Sequence, residues 1–343
     1  MRGAEGAQFF RLVMMPLALA VLPIVASTAY PGAPAASAAV SHPVPALIKP
    51  APVARAAVMT TPVQPVTTLY DPSGFDRLQA GLAGYAAQTG ARVGIVLQEL
   101  SGPRRASFSL GGNQTFYAAS AYKLPLLMAE AQQIAAGKAS RGDVLCYDPS
   151  DQEDGWFTDY NPGSCFSRQE LAERAGRYSD NTAAHILVRY LGGPDALNAY
   201  ARSAGMTASA LWIPNTTTPN DLAAAMVNEV LGRLGGPAAQ QWLYPMLTDT
   251  ASENGIPAGV PAAASVVHKV GTMYGTENDT AYVSNGRISY VLSVAVSGPD
   301  EATGWSIIAQ ISRQVWQYEA SRAAYPAPAT SKSVPPLWPD RRH

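Results

Sequence analysis

The chain has 343 residues, with 24 Lys+Arg against 25 Asp+Glu, 47% hydrophobic residues and 14% charged ones. So even a balance offers no electrostatic footprint for nucleic acid or an anionic membrane surface, and the hydrophobic share is that of a globular body. Two cysteines exclude a disulfide-dense scaffold, a cysteine-rich zinc site and an iron-sulfur cluster, and four histidines without an H-E-x-x-H spacing argue against a histidine-based zinc enzyme; no metal and no cofactor is implied.

Arg2 and Arg11 accompany an apolar stretch from Leu12 to Ala26, and small-residue cleavage patterns follow at Ser27-Thr28-Ala29 and Ala36-Ser37-Ala38. This is the pattern of a secretory signal over residues 1–38, which predicts a secreted or cell-envelope protein. Pro16 and Pro23 interrupt the stretch, which is shorter than the roughly 20 apolar residues of a spanning helix, so stable membrane insertion of the mature form is not expected. Residues 39–68 read as a Pro/Ala-rich linker and 323–343 as a Pro-rich tail, which leaves 69–322 to carry the function.

Within that segment Phe75, Leu78, Leu82, Tyr85 and Ala86 share one face of a helix that Gly90 ends. RVGIVLQEL has the length and β-branched content of a strand, and RRASFSLGG pairs with it as a hairpin. A strongly apolar helix is predicted from Ala119 to about Ala136, with further helices at 167–176, 180–191, 194–203 and 219–233. Strands return with SVVHKVGTM and a hairpin turning at Ser284-Asn285-Gly286, and a last helix buries Ile307, Ile308, Ile311, Val315 and Trp316. Strands from both ends and helices from the middle predict an α+β protein of two lobes. An antiparallel sheet flanked by the terminal helices forms one and an all-helical lobe the other, with the cleft between them as the default site.

Three short motifs fall in order along this segment: Ser120-Ala-Tyr-Lys123, Ser179-Asp180-Asn181 and Lys269-Val270-Gly271. Taken singly each has a plain explanation, Ser120 as a helix cap, Lys123 as a snorkelling side chain, Asp180 and Asn181 as caps of the next helix. Taken as an ordered set they resemble the penicillin-recognising serine hydrolases, most closely the class A serine β-lactamases, whose signatures are S-x-x-K, S-D-N and K-T-G. YAASAYKLPLL, RYSDNTAAHILVRYLGG, TTTPNDLAAAM, YGTENDTAYV and the final ISRQVW extend the resemblance over nearly all of 69–322.

The resemblance implies a β-lactamase/transpeptidase-like fold and an exported enzyme acylated on Ser120. Lys123, at i+3, lies within reach of the hydroxyl and acts as a base if burial and a second cation lower its pKa. Lys269 is that cation and also holds a substrate carboxylate. Ser179 relays a proton toward the leaving nitrogen, Asn181 binds the substrate amide, and Gly271 admits the acyl group beside the strand. The backbone N–H groups of Ser120 and Thr272 form the oxyanion hole. The substrate is a small-molecule β-lactam or a cell-wall peptide. A D,D-peptidase or penicillin-binding protein, a catalytically weak cell-wall-binding module, and a hydrolase of some other ester or amide are the alternative readings.

The sequence departs from the family in three places. The Glu-x-x-Leu-Asn of the Ω-loop, whose glutamate activates the deacylating water, is missing: residues 182–215 hold no Glu, and ALWIPN runs straight into TTTP. Val270 replaces the threonine of K-T-G, removing a hydroxyl that contacts the substrate carboxylate. Finally, Cys146 and Cys165 bracket an acidic, aromatic segment; in an exported chain they read as a disulfide closing a surface loop. A sharper reading has that loop overhang the cleft, with Glu153, Asp154 or Asp159 as the replacement carboxylate. His268 is read as structural, on the strand face opposite Lys269, and His185 as a packed helix residue.

Overall fold

The computed structural model describes residues 73–101 and 105–322; the predicted signal and linker, and the tail from 323, lie outside the described residues. In chain order the elements are α1 (Ser73–Gln88), β1 (Arg92–Glu99), β2 (Ser107–Leu110), β3 (Phe116–Tyr117), α2 (Lys123–Ala135), β4 (Val144–Cys146), β5 (Cys165–Ser167), α3 (Arg168–Arg177), α4 (Asn181–Leu191), α5 (Pro194–Ser203), β6 (Thr216–Thr217), α6 (Pro219–Val230), α7 (Gly236–Leu243), β7 (Ser265–Met273), β8 (Thr276–Ser284), β9 (Ser289–Ser297) and α8 (Glu301–Arg322). No helix among the described residues is long and apolar enough to cross a membrane.

β1 is buried at every position after Arg92, which accounts for its near-continuous apolar run. It lies inside a five-stranded antiparallel sheet of order β2-β1-β9-β8-β7, with Ile95 opposite Leu110 on one side and Val294 on the other. The N-terminal hairpin is therefore zipped onto the C-terminal one, as the distribution of strands predicted. Its side chains alternate between two cores: Val93, Ile95 and Leu97 join Phe75, Leu82, Ile308 and Ile311 of α1 and α8, while Val96 joins the helical cluster.

α2 is the axis of the helical lobe. Leu124, Leu126, Leu127 and Met128 are all fully buried, which is why its sequence is apolar around the whole circumference. Its first turn differs from expectation: Ala119–Tyr122 is 3-10, and the α-helix proper starts at Lys123. α6 stops at Val230 instead of 233 because Gly232 turns to φ 73°. α7 was not anticipated. Gly235, at its N-terminus, permits a close approach that a Cβ would block, 2.8 Å from Ala239 Cβ and 3.3 Å from Gln132 Cα. Ala239, Trp242 and Leu243 are buried as a result.

The predicted disulfide joins Cys146 to Cys165, register partners in the short β4-β5 ribbon. The loop it closes is anchored from within by Asp180, which accepts hydrogen bonds from Trp156 N (2.9 Å), Phe157 N (3.2 Å) and the Tyr160 hydroxyl (2.7 Å). His268 is fully buried between Asp279 (2.9 Å from Nδ1) and Glu253 (3.1 Å from Nε2). Burial works to lower its pKa, but the two carboxylates outweigh it and carry the imidazole up to about 9, so the residue read as structural sits in a buried ion pair.

Because the bridge closes a loop of 19 residues' separation, its loss relaxes the unfolded chain and costs about 3 kcal/mol. Thermal unfolding followed by circular dichroism is expected to show the Cys146→Ser, Cys165→Ser double variant melting about 6–12 °C below the parent protein.

Candidate active site

The nucleophile turn is gripped from two sides. Asn278 on β8, fully buried, donates through Nδ2 to Tyr117 O (2.9 Å), and Asn215 donates through Nδ2 to Ala119 O (3.0 Å) while its carbonyl accepts from Ala118 N (2.8 Å). Between these clamps Ala119 is forced to φ 47°, a conformation costly for a residue with a Cβ. Sequence reasoning missed both asparagines. Each lay in plain view inside a quoted segment, NDT and IPN, but nothing in a one-dimensional pattern says that two residues 63 positions apart hold one turn.

Lys123 is fully buried beneath Ser120. Its Nζ lies 2.9 Å from Ser120 Oγ, 2.6 Å from the Ser179 carbonyl, 2.6 Å from Asn181 Oδ1 and 3.4 Å from Ser179 Oγ. Lys269 reaches the same group from β7, with Nζ 3.0 Å from Ser179 Oγ and 3.0 Å from the carbonyl of Val270. The predicted set is thus brought together, with Ser179 bridging the two amines. Burial, followed by the charge of Lys269, pushes the Lys123 amine well below the ordinary lysine range, against the pull of Asp180 and Glu153. Burial brings Lys269 down to about 7, with Asp279 opposing. Lowering an amine's pKa within hydrogen-bond reach of a hydroxyl makes it better able to take that hydroxyl's proton.

Asp180 keeps the plain role of N-cap to α4, accepting from Ala183 N at 2.8 Å. In doing so it fixes the neighbours on either side, Ser179 at φ 58° and Asn181 aimed at Lys123. Gly155 lies so close that a Cβ there would stand 2.4 Å from Asp180 Oδ2.

Above these groups opens a cavity of about 810 Å³, within the range of small-molecule sites, lined among others by Ser120, Ser179, Asn181 and Thr272. Gly271 is not among the residues that line it, and the structure gives this glycine a packing reason of its own. A Cβ at 271 would meet Ala118 O at 2.4 Å and Ala121 N at 2.6 Å, so glycine is needed for β7 to approach the nucleophile turn. Val270 likewise does not line the cavity; its side chain packs into the core between the sheet and the terminal helices. The disulfide loop does overhang the cleft. Glu153, Asp154, Gly155 and Trp156 line it, whereas Asp159 is bound to Arg174 at 2.6 and 2.7 Å and is removed as a candidate base. His185 was read as a packed helix residue, yet it lines the cavity too.

The 204–215 segment is a short loop without carboxylates, so the Ω-loop glutamate has no counterpart on it. Counting back from Asn215 by the Glu-x-x-Leu-Asn spacing reaches Leu211, an apolar side chain that is 2% exposed.

A serine and two buried lysines converging under a cleft, between an antiparallel sheet and a helical lobe, define the class of β-lactamase/transpeptidase-like serine hydrolases. Solved structures agree: PBP-A superimposes with a TM-score of 0.67 at 27% identity, over 71% of this chain and 96% of that one. An ancestral class A beta-lactamase gives 0.62 at 30%, over 70% and 99%. Residues 76–319 match the model of the beta-lactamase enzyme family, and the chain belongs to that family, on its class A side. Among curated relatives, beta-lactamase CTX-M-25 of Escherichia coli is 30% identical over 63% of this chain and 79% of its own length. The carbapenem-hydrolyzing beta-lactamase KPC of Klebsiella oxytoca is 36% identical over 42% of this chain, a match that spans 56% of that protein.

Gly271→Ala is expected to push the 118–121 turn off β7. A displacement near 1 Å at the reacting atoms costs about 100-fold, so stopped-flow acylation by a chromogenic β-lactam is expected to slow by that factor, with secondary structure retained by circular dichroism.

Proposed function

We propose that this chain is an exported serine hydrolase that opens β-lactam or peptide-like amides through an acyl-enzyme on Ser120. The observation that carries the reading is the Lys123 amine, fully buried and 2.9 Å from Ser120 Oγ. In this mechanism Lys123 takes the hydroxyl proton as Oγ attacks the substrate carbonyl. Negative charge then develops on the carbonyl oxygen, facing the backbone N–H groups of Ser120 and Thr272, where one such donor is typically worth about 2.7–4 kcal/mol. Ser179, 3.4 Å from Lys123 Nζ and 3.0 Å from Lys269 Nζ, passes the proton to the leaving nitrogen. Asn181 donates to the substrate amide, and the Lys269 ammonium and the Thr272 hydroxyl hold the carboxylate. Gly271 contributes by seating β7 against the turn.

Export rests on the signal pattern of 1–38 and on the disulfide, a bond that persists in oxidising compartments. The domain is bounded as 69–322, with linker 39–68 and tail 323–343 as spacers. A second reading, a D,D-peptidase or penicillin-binding protein, is favoured by one observation: Leu211 stands at the spacing of the family's water-activating glutamate. The likeness to PBP-A, a variant of which was solved as an acyl-enzyme complex with penicillin G, points the same way.

Mixing the purified protein with a chromogenic β-lactam, while following product release and intact mass, separates these readings. A single adduct on Ser120 is expected, absent from Ser120→Ala. Rapid release identifies a β-lactamase and a lasting adduct a penicillin-binding acyl-enzyme, while neither adduct nor release sinks the proposal.

The pH profile tests the lysines. Lys269 is charged below about 7 and neutral above it. The second-order rate of acylation by a carboxylate-bearing β-lactam is therefore expected to fall as pH rises through about 7. In Lys269→Arg, charged throughout, the falling limb is expected to vanish.

A further inference from the structure

An ester on Ser120 needs a base for the water that releases it, and the 204–215 loop brings no carboxylate to the cleft. Another element supplies a proton acceptor. His185 lies four residues, one turn of α4, beyond Asn181, so both side chains leave the same face of that helix and both line the cavity with Ser120. The imidazole is not loose there. Trp212 packs on it with ring centroids 4.6 Å apart, and Trp212 in turn meets Tyr122 edge-on at 5.9 Å. The histidine thus belongs to an aromatic wall continuous with the turn that carries Ser120.

Three features suit the ring to general-base work. A neutral imidazole keeps a lone pair on one ring nitrogen, and this ring lines the same cavity as Ser120. Burial holds its pKa below the ordinary histidine range; Lys123 acts in the same direction, and Glu153, with Asp151, acts against it. The ring is therefore neutral at pH 7, with a carboxylate near enough to stabilise the imidazolium once it forms. Glu153 lines the same cavity from the disulfide-closed loop.

We propose that His185 is the general base that activates the deacylating water, with Glu153 supporting its charged form, in place of the carboxylate this chain lacks. The inference rests on the reading of Ser120 as the acylated serine. As the water oxygen bonds to the ester carbonyl carbon, its proton passes to the free imidazole nitrogen. On collapse the bond from that carbon to Oγ breaks and the electron pair leaves on Oγ. The imidazolium proton returns to Oγ through the Lys123 amine, so ester plus water become a free acid and the restored serine.

The test uses the whole protein with a chromogenic β-lactam, measuring the acylation burst, the release rate, even where release takes hours, and the intact mass. His185→Gln and His185→Asn are expected to acylate within about threefold of the parent and to release the acyl group about 100-fold or more slowly, the usual contribution of a general base. Unimpaired acylation certifies that both variants are folded. In the parent, release is expected to rise with pH along a limb centred below 6.5 and to lose that limb in both variants. In Glu153→Gln, which removes a pKa-raising anion, the limb is expected to move to lower pH. Variants that release at the parental rate or keep the limb overturn the proposal, as do variants in which acylation and release fall together, the mark of a merely structural residue. A parental adduct that never turns over also overturns it while leaving Ser120 acylation standing; absence of any adduct removes the serine reading and the base with it.

Discussion

The organisation of this site follows from the burial of one amine. Lys123 has no exposed surface, so its Nζ must find oxygen partners, and it draws them from three elements: the Ser120 turn, the Ser179 carbonyl and the Asn181 amide. Desolvation disfavours the ammonium, and the neighbouring Lys269 disfavours it further. The same burial that lowers the pKa also fixes the geometry, since a buried polar group without partners costs about 1–3 kcal/mol for each one lost. Positioning and activation of the amine are one effect.

Around that amine the molecule holds backbone in shapes it does not prefer. Ala119 and Ser179 both take positive φ, and each is held by hydrogen bonds from distant segments: Asn215 and Asn278 on one side, Lys123 and Lys269 on the other. Such strain persists only where the surroundings over-determine it, and it gathers at the residues that flank or form the cleft. Asp180 is the clearest case of architecture in service of chemistry. It caps α4 and accepts three donors from the disulfide loop, joining that loop to the strip that carries Ser179 and Asn181.

The disulfide loop then acquires a meaning beyond surface stapling. It places Glu153, Asp154 and Trp156 on the wall of the cleft, which His185 lines as well. The wall facing the serine is therefore built from a closed loop and a histidine-bearing helix, while the short 204–215 segment contributes Trp212, Ile213 and Asn215. The family scaffold is kept, and the cavity beside Ser120 is lined from several separate segments.

Much of this was legible in one dimension. Helix and strand periodicity located α1 to α6, the large sheet and α8, because burial of one face imposes a spacing that survives in sequence. Three ordered motifs named Ser120, Lys123, Ser179, Asn181 and Lys269, because side chains that share one chemistry must be of fixed type. What sequence could not decide depends on close approach between remote segments. That Gly271 also seats β7 against the nucleophile turn, and that Gly235 permits the close packing of α7, shows only in the fold. Asn215 and Asn278 look like ordinary loop and strand residues until the fold sets them against the same turn. His185 lies at helical spacing whether it faces core or cleft; only the arrival of Trp212 and the disulfide loop around α4 makes it part of a cavity wall. Local pattern records which face of an element is buried, and the tertiary structure alone records what that face meets.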